Sequence, residues 1–387
     1  MNIARPSFLK ALMAALALLA VGLPAQAAPP KARVSVGATL PLTGSEARIG
    51  GFVKEGYELA FEEVNKAGGL QVGNQKLPVA LTLLDDATNQ ATAVSLADKL
   101  INSDKVDFLL GTYSSHLIEA QSTVAEQYKV PYLQGGGGAT KIFRRGFKYL
   151  FGTISPVELL GTTLMTWIDQ QQKAGKLPKP AKIALLWENT AHGKDFSALL
   201  GKVKAAKVDL FLADAHLPDY ITMHRQYVAS GLCHKVVSYG ARGSEKGAID
   251  ALGVENVKYI LSGVWWSSQL AAKPGPSRDF VTAFKARYGG RDPEWFQALA
   301  YLSAKTLFAA IQQAGTVDRE AVRQKLATMK VKSLLPGGPL EFPAALGQQA
   351  QNPFVVQQNT PDGKSPIIFP QDVATGTGVA ANPKCPN

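Results

Sequence analysis

The feature that most constrains the fold is a repeated alternation of short apolar segments with amphipathic segments of about ten to fifteen residues. Short apolar runs bounded by turn residues are typical of buried strands, and apolar residues three and four positions apart are typical of helices. Strands separated by helices of this length form parallel sheets with helices on both faces. The sequence therefore predicts an α/β protein built from doubly wound parallel sheets.

The alternation occurs in two blocks, and 387 residues exceed the size of a typical single core, so two lobes are expected. The predicted strands are Val34–Leu40, Val79–Leu84, Val106–Leu110 and Val130–Leu133 in the first block, and Ile183–Trp187, Asp209–Ala213 and Val236–Tyr239 in the second. The predicted helices are Gly51–Ala67, Thr92–Asn102, Leu117–Gln127, Glu158–Gln172, Lys194–Ala206, Ile221–Ser230, Ser277–Tyr288, Pro293–Gly315 and Arg319–Thr328. Three short strands are predicted near the end, at Leu340–Phe342, Phe354–Gln357 and Ile367–Phe369.

The first 27 residues have the pattern of a secretory signal peptide. A basic start through Lys10 precedes an apolar run from Ala11 to Leu23, and the small-residue site Ala25-Gln26-Ala27 follows. This run is short for a membrane span, which needs about 20 apolar residues. We therefore expect an exported, periplasmic protein.

The net charge of +11 does not indicate a nucleic-acid-binding protein. Removal of Arg5 and Lys10 with the signal peptide lowers it by two, to +9, and the remaining basic residues are scattered rather than clustered. No nucleic-acid partner is expected.

The two cysteines, Cys233 and Cys385, are expected to meet an oxidising compartment after export. The sequence leaves two alternatives open, a disulfide that ties down the C-terminal tail or two unpaired thiols. No pair of Cys or His has the spacing of metal ligands, so neither a metal site nor a cofactor is expected.

Ligands of open parallel sheets bind beyond the carboxyl ends of the strands, which directs attention to the loops that follow each predicted strand. Ser114 and Ser115 precede a predicted helix, whose free amides and dipole favour an anion, and 135–140 is a glycine-rich loop whose backbone can approach a ligand. His216 follows a strand of the second block. The alternatives are that the serines only cap the helix and that the glycines form a surface loop.

Enzymatic functions are not favoured. Gly135–Gly138 lacks the spacing of a dinucleotide-binding turn, and Ser114 and Ser115 do not lie in a Gly-x-Ser-x-Gly elbow. We therefore predict a protein that is not an enzyme.

Several segments together resemble the branched-chain amino-acid type of periplasmic solute-binding proteins, which serve ABC importers. They are Leu40–Gly44, Glu63–Gly69, Asp85-Asp86, Ala93–Leu100, Gly111–Ser115, Ala298–Tyr301, Phe342, Gly347-Gln348 and Pro353–Gln357. The resemblance runs through nearly the whole mature chain. It implies two doubly wound lobes joined by three crossovers, near residues 153, 266 and 336, that close over a small ligand. The implied lobes are 28–153 with 267–335, and 154–266 with 336–387.

The resemblance also implies roles for single residues. Ser115 matches the serine that holds the ligand carboxylate, and the loop Gly138-Ala139-Thr140 matches the donors that share this task. Three positions depart from the amino-acid binders: His192 replaces a tyrosine, Arg242 replaces the acid that pairs the ligand ammonium, and Ile49 replaces a tyrosine at the ligand side chain.

These departures favour a carboxylic acid without an amine, since Arg242 would repel an ammonium in a desolvated cleft. Ser114, Ser115, Thr140, His192, His216 and Arg242 would then supply donors. Ile49, Trp265 and Trp266 would supply apolar and aromatic walls, with packing at the hinge as the alternative role for at least one of the two tryptophans. Some relatives of this kind take up aromatic acids, and the present chain resembles them.

A further departure concerns length. The family has one more helix and strand between the positions of Ile183 and Ala213, and here a single helix joins the two strands, with the junction at Asp195-Phe196. The second lobe is thus expected to lack one helix–strand unit at the edge of its sheet, which leaves apolar side chains on one face uncovered.

The resulting prediction is a monomeric periplasmic substrate-binding protein of an ABC importer. It would bind a small carboxylate, either an aromatic acid or a hydrophobic amino acid, and deliver it to an inner-membrane permease with its ATPase subunits. Two alternatives stay open: binding of branched-chain amino acids proper, and a ligand-sensing domain of a membrane receptor.

Overall fold

The computed structural model of the protein describes residues 31–187 and 196–385. The predicted signal peptide and His192 lie outside the described residues. The strands are β1 (Val34–Leu40), β2 (Leu70–Val72), β3 (Gln75–Leu77), β4 (Val79–Asp85), β5 (Phe108–Leu110), β6 (Tyr132–Gln134), β7 (Leu150–Gly152), β8 (Ile183–Trp187), β9 (Leu210–Asp214), β10 (Val236–Tyr239), β11 (Leu261–Val264), β12 (Val355–Gln358) and β13 (Ile367–Phe369).

The α-helices of the described residues are α1 (Ala47–Lys66), α2 (Gln90–Asn102), α3 (Ser115–Gln127), α4 (Thr140–Phe143), α5 (Glu158–Lys173), α6 (Phe196–Ala206), α7 (Leu217–Ala229), α8 (Lys246–Leu252), α9 (Val254–Val257), α10 (Pro276–Arg287), α11 (Trp295–Ala314) and α12 (Arg319–Thr328). Two short 3-10 helices lie at Ser268–Ala272 and Ala344–Leu346. None of the described helices combines the length and apolar character needed to cross a lipid bilayer.

The first lobe is built on a five-stranded parallel sheet in the order β4-β1-β5-β6-β7. Strand β1 lies inside the sheet and is buried at every position except Ser35, which explains its nearly continuous apolar sequence. Helices α1 and α11 pack together over one face. A side chain at Gly56 of α1 would place its Cβ 2.4 Å from the Gln297 carbonyl oxygen, so glycine is required for this close approach.

The second lobe is built on a six-stranded sheet in the order β13-β12-β11-β10-β9-β8. Strands β8 to β11 are parallel, whereas β12 and β13 are antiparallel additions at the edge opposite β8. Helix α5 covers one face, and helices α6, α7 and α8 cover the other. The predicted α/β class with two doubly wound lobes is confirmed.

The chain passes between the two sheets three times, as predicted. The first passage lies between β7 and α5, the second between β11 and α10, and the third between α12 and β12. Because the loops that follow the parallel strands of both sheets meet beside these passages, a cleft forms between the lobes.

Some elements differ from the sequence-based prediction. Leu340–Phe342 is not a strand, because Leu340 forms one isolated antiparallel bridge with Val331 and Pro343 follows directly. The prediction missed the β2–β3 hairpin and strands β7 and β11, since three or four residues are too few to show a period. Helix α1 begins at Ala47, four residues before the predicted start.

The shortened connection of the second lobe has the expected topology. Among the described residues of this connection there is one helix, α6, and the two strands pair in parallel with Ile183 opposite Leu210. Strand β8 is the sheet edge, and its Leu185 is 58% exposed. Ile183 on the same face is 37% exposed, so apolar side chains on one face of the sheet are partly uncovered, as expected for a lobe that lacks a unit.

Cys233 and Cys385 form a disulfide, which decides between the two alternatives left open by the sequence. It joins the loop after α7 to the C-terminal tail, with the two Cα atoms 5.3 Å apart. The tail also contacts the same loop through the Asn382 amide, which donates to the Lys235 carbonyl oxygen.

Candidate functional site

A cleft of about 380 Å³ lies between the lobes at the carboxyl ends of the strands. Its walls come from both lobes and from the passages between them. They include Tyr113, Ser114, Ser115, His116, Gly136 and Gly138 of the first lobe, Asp214, Ala215, His216, Ala241 and Arg242 of the second, and Ile154, Val157, Leu160, Trp265 and Trp295. This is the position that the topology of open parallel sheets predicts for a ligand.

The first-lobe wall contains the N-terminus of α3. Ser115 is the first residue of the helix, and Ser114 precedes it. The Ser114 hydroxyl contacts Nδ1 of His116 at 2.9 Å instead of capping the first turn, so the alternative of a purely capping serine is wrong for Ser114. Unpaired amides and the helix dipole make this end of α3 suited to an anion.

The glycine-rich loop 135–138 is packed into the structure, so the alternative of an exposed surface loop is wrong. The amides of Gly136 and Gly137 both donate to Oε1 of the buried Gln134 side chain, at 2.9 and 2.8 Å. A Cβ on Gly136 would lie 2.3 Å from the Thr112 carbonyl oxygen, so this position requires glycine. The loop thereby brings the backbone of Gly138 into the wall of the cleft.

Thr140 and Ala139 do not line the cleft, contrary to the sequence-based expectation. The Thr140 hydroxyl donates to Oε2 of Glu158 at 2.6 Å and its amide lies 3.1 Å from Oε1, so the side chain is engaged away from the cleft. The Ala139 amide points to the Ser115 hydroxyl at 3.4 Å. Ala139 thus supports Ser115 and does not itself form the wall.

Ile49 is also placed elsewhere. Its side chain is 4% exposed and belongs to the main core, because α1 turns this face toward the sheet. Of the two tryptophans, one lines the cleft and the other packs in the core, as the prediction for at least one of them allowed. Trp265 lines the cleft, and its indole donates to the Ser155 carbonyl oxygen, whereas Trp266 packs on Phe280.

Arg242 lies in the second-lobe wall, and both ends of its guanidinium are already engaged. Nη1 donates to Glu245 of the same lobe, and Nη2 donates to the Tyr113 hydroxyl of the first lobe. The guanidinium also lies over the Phe296 ring, 5.1 Å from its centre. Burial lowers the pKa of Arg242, but the attraction of Glu245 outweighs this and raises the pKa, so the side chain stays charged.

A chain of charges continues from Arg242 along the boundary of the lobes. Arg48 of α1 contacts Glu245 at 3.3 Å and Glu294 at 3.1 Å. Burial, followed by repulsion from Glu245, raises the pKa of Glu294 to about 7. Since Glu245 is shared by cations of both lobes, this network holds the lobes against each other.

Two histidines face each other across the cleft. His216 precedes α7, and its Nε2 lies 4.0 Å from a carboxylate oxygen of Glu46 in the first lobe. Burial, and then the neighbouring His216, lower the pKa of His116 on α3. The His116 ring is therefore neutral at neutral pH and can either donate or accept a hydrogen bond.

The structure thus brings together six of the ten predicted residues: Ser114, Ser115, Gly138, His216, Arg242 and Trp265. Tyr113 and His116 also line the cleft and were not among the predicted site residues, although both flank the predicted serine pair. Trp295 was not predicted either, because it reaches the cleft from α11 and is distant in sequence from every other wall residue. No group of three metal-ligating side chains was found among the described residues.

Comparison with known proteins identifies a family model described as "Periplasmic binding protein", which matches residues 33–195 and 188–364. The two matches overlap at 188–195, where the sequence predicted the junction. A curated relative, the Leu/Ile/Val-binding protein homolog 7 of Brucella suis, is 24% identical over 93% of this chain and 97% of its own length.

Two solved structures of similar fold are a leucine-binding protein of Thermotoga maritima and an ABC-transporter solute-binding protein of R. palustris in complex with benzoate. The first has a TM-score of 0.73 and 21% identity over 86% of this chain and 97% of that chain. The second has a TM-score of 0.68 and 21% identity over 92% of this chain and 98% of that chain. These similarities establish the two-lobed fold.

Proposed function

Because this chain belongs to the periplasmic binding protein family, we propose that it captures a small aromatic carboxylic acid in the cleft between its lobes and delivers it to an ABC permease. The observation that carries the proposal is the pairing of an anion site with apolar walls. The N-terminus of α3, with Ser114 and Ser115, faces the same cleft as Trp265 and Leu160. An aromatic acid presents a carboxylate to the first and a ring to the second.

The charge in the cleft is compatible with this ligand. Arg242 is balanced by Glu245, so the pull on a carboxylate comes chiefly from the amides and hydroxyls at α3. This differs from the expectation that Arg242 pairs with the acid group directly. The neutral imidazole of His116 adds a hydrogen-bond donor. Burying it under a ligand costs less desolvation energy than burying a charged side chain would.

Lobe closure would couple binding to transport. We place the lobes at 28–153 with 267–335 and at 154–266 with 336–387, and each supplies half of the wall. A ligand that contacts both halves binds the closed form more tightly and shifts the population toward it. The signal pattern at 1–27 supports export to the periplasm. There the protein would act as a monomer, and the permease with its ATPase subunits would receive the closed form.

One observation favours a second candidate, the binding of a hydrophobic amino acid. Asp214, the last residue of β9, is the acidic side chain among the described wall residues. Its carboxylate lies beside Gly240. An ammonium group in the cleft would have this carboxylate as its partner. The curated relative named for Leu, Ile and Val supports the same alternative.

Calorimetry and thermal unfolding of the mature protein with benzoate, 4-hydroxybenzoate and leucine test the two candidates. A free ligand concentration of about 100 times Kd raises the free energy of unfolding by about 2.7 kcal/mol. We expect this stabilisation with an aromatic acid and its absence with benzyl alcohol, the matched ligand without a carboxylate. Tight leucine binding that is lost in Asp214→Asn would instead establish the amino-acid candidate.

A further inference from the structure

A second cavity of about 420 Å³ adjoins the cleft on the other side of Arg242. Ala241 and Trp295 line both cavities, so the two spaces share a wall. Arg242 and Tyr113 line the first cavity, whereas Glu245 and Arg48 line the second. The ion pair between Arg242 and Glu245 therefore lies between them.

Arg242 is held at this position from several sides. It extends from the second lobe to the Tyr113 hydroxyl of the first, while Glu245, itself bound by Arg48, fixes the other guanidinium nitrogen. The side chain is 8% exposed and lies over the rings of Trp295 and Phe296. Because these partners hold the side chain in place, it separates the two cavities and does not move to make room for a ligand.

The second cavity has a mixed lining. Phe52, Trp266 and Trp295 provide aromatic surface, whereas most of the other lining residues are polar or charged, among them Arg48, which pairs with Glu245 and Glu294. Most ligand sites have roughly 300–1,000 Å³ of volume. The first cavity alone is near the lower end of that range, and the two joined would have about twice its volume.

We propose that the Arg242 side chain is the partition that limits ligand length in this protein. The inference rests on the proposed function, with the acid group at α3 and the ring against Trp265. The Trp265 ring lies 4.6 Å from that of Trp295, over which Arg242 lies, so the far end of the ligand ring would face Arg242. With the partition in place the cleft accepts a single-ring acid. Without it, the second cavity accepts the distal part of a longer acid.

The test compares benzoate with 4-biphenylcarboxylate, which carries a second ring in line with the first. Arg242→Ala with Glu245→Gln removes the partition without leaving a buried carboxylate unpaired. Arg242→Met with Glu245→Gln is the matched control, because it removes the same charges and keeps the bulk. Kd values for both acids are measured by calorimetry, with circular dichroism to verify folding.

We expect the wild-type protein to prefer benzoate by at least about tenfold, a ratio within the range that pocket size commonly supplies. The alanine variant should shift the ratio of Kd values toward the longer acid by about tenfold or more, while the methionine control keeps the wild-type ratio. Tyr113→Phe, which releases one end of Arg242 and retains the ring, should shift the ratio in the same direction by about threefold.

Three results separate the outcomes. If the wild-type protein binds benzoate but neither the alanine variant nor Tyr113→Phe changes the ratio, the partition is wrong and the proposed function stands. If the methionine control shifts the ratio as far as the alanine variant, charge and not bulk sets the preference, and the partition is again wrong. If the wild-type protein binds neither acid, the proposed function fails and the partition fails with it.

Discussion

At the scale of single residues, the hydrogen-bond and ion-pair partners of a side chain determine whether it is available to a ligand. Arg242 stands in the expected wall, but Glu245 neutralises it, and that pairing is invisible to a comparison of single positions. Thr140 matches a ligand donor by resemblance, yet its hydroxyl bonds to Glu158. Ser115 differs from both, because it stands at the first turn of α3 in the wall of the cleft.

Replacing Ser115 by alanine is expected to weaken the binding of an acid ligand. The loss of one donor to a carboxylate in a desolvated cleft costs about 1–3 kcal/mol, which corresponds to roughly five- to 150-fold in Kd. Calorimetry with benzoate measures the change, and thermal unfolding without ligand should be nearly unaffected.

Ser122 on the same helix is the matched control. Its hydroxyl donates to the Ile118 carbonyl oxygen at 2.6 Å inside the core, away from the cleft wall. Ser122→Ala should lower stability and leave the affinity unchanged. If Ser115→Ala instead lowers stability without changing affinity, Ser115 contributes to the helix and not to binding.

At the scale of elements, long helices and buried strands follow from periodicity, whereas short strands depend on their neighbours. Strand β1 has seven residues and was predicted with its observed ends. Strand β7 has three, and it exists because β6 pairs with it. The disulfide likewise could not be predicted from local sequence, because the sequence does not show the spatial distance between two cysteines that are 152 residues apart.

Removal of this disulfide tests how the C-terminal tail contributes to stability. The double variant Cys233→Ser with Cys385→Ser should lower the free energy of unfolding by about 2–5 kcal/mol, because the crosslink constrains a long loop of the unfolded chain. Denaturant unfolding monitored by circular dichroism measures the difference.

A surface contact of the same tail provides the comparison. Lys384 lies 3.3 Å from Glu255, and Lys384→Ala should change stability by less than about 1 kcal/mol because the pair is exposed. Equal unfolding curves for the wild-type protein and the double serine variant would show that the tail is held by its other contacts.

At the scale of the whole molecule, the two lobes differ in how completely their sheets are covered. Strand β1 of the first lobe lies between β4 and β5 and is covered by helices. Strand β8 of the second lobe is an edge whose Leu185 is 58% exposed. The C-terminal strands cannot compensate, because β12 and β13 extend the opposite edge. Burial contributes about 25 cal/mol per Å² of apolar surface, so the second lobe gains less of this stabilisation at β8.

We therefore expect the second lobe to unfold before the first. Amide hydrogen exchange should be faster in β8, β9 and β10 than in β1 and β5, and heating should produce two transitions. A ligand that bridges the lobes should raise the lower transition more than the upper one. A single cooperative transition with uniform protection would show that the lobe is stable without the missing unit.

The sequence by itself determined the class of fold, the two-lobed organisation and the place of the cleft, because these depend on the spacing of apolar residues and on where strands end. It also identified Ser114 and Ser115, since a helix start after a strand is visible along the chain. Only the tertiary structure decided which candidates meet. Ile49 turned into the core, Trp295 entered the cleft from a distant helix, and Arg242 acquired Tyr113 and Glu245 as partners. Periodicity describes one element at a time, whereas the neutralisation of a charge and the division of a cavity depend on side chains from separate elements.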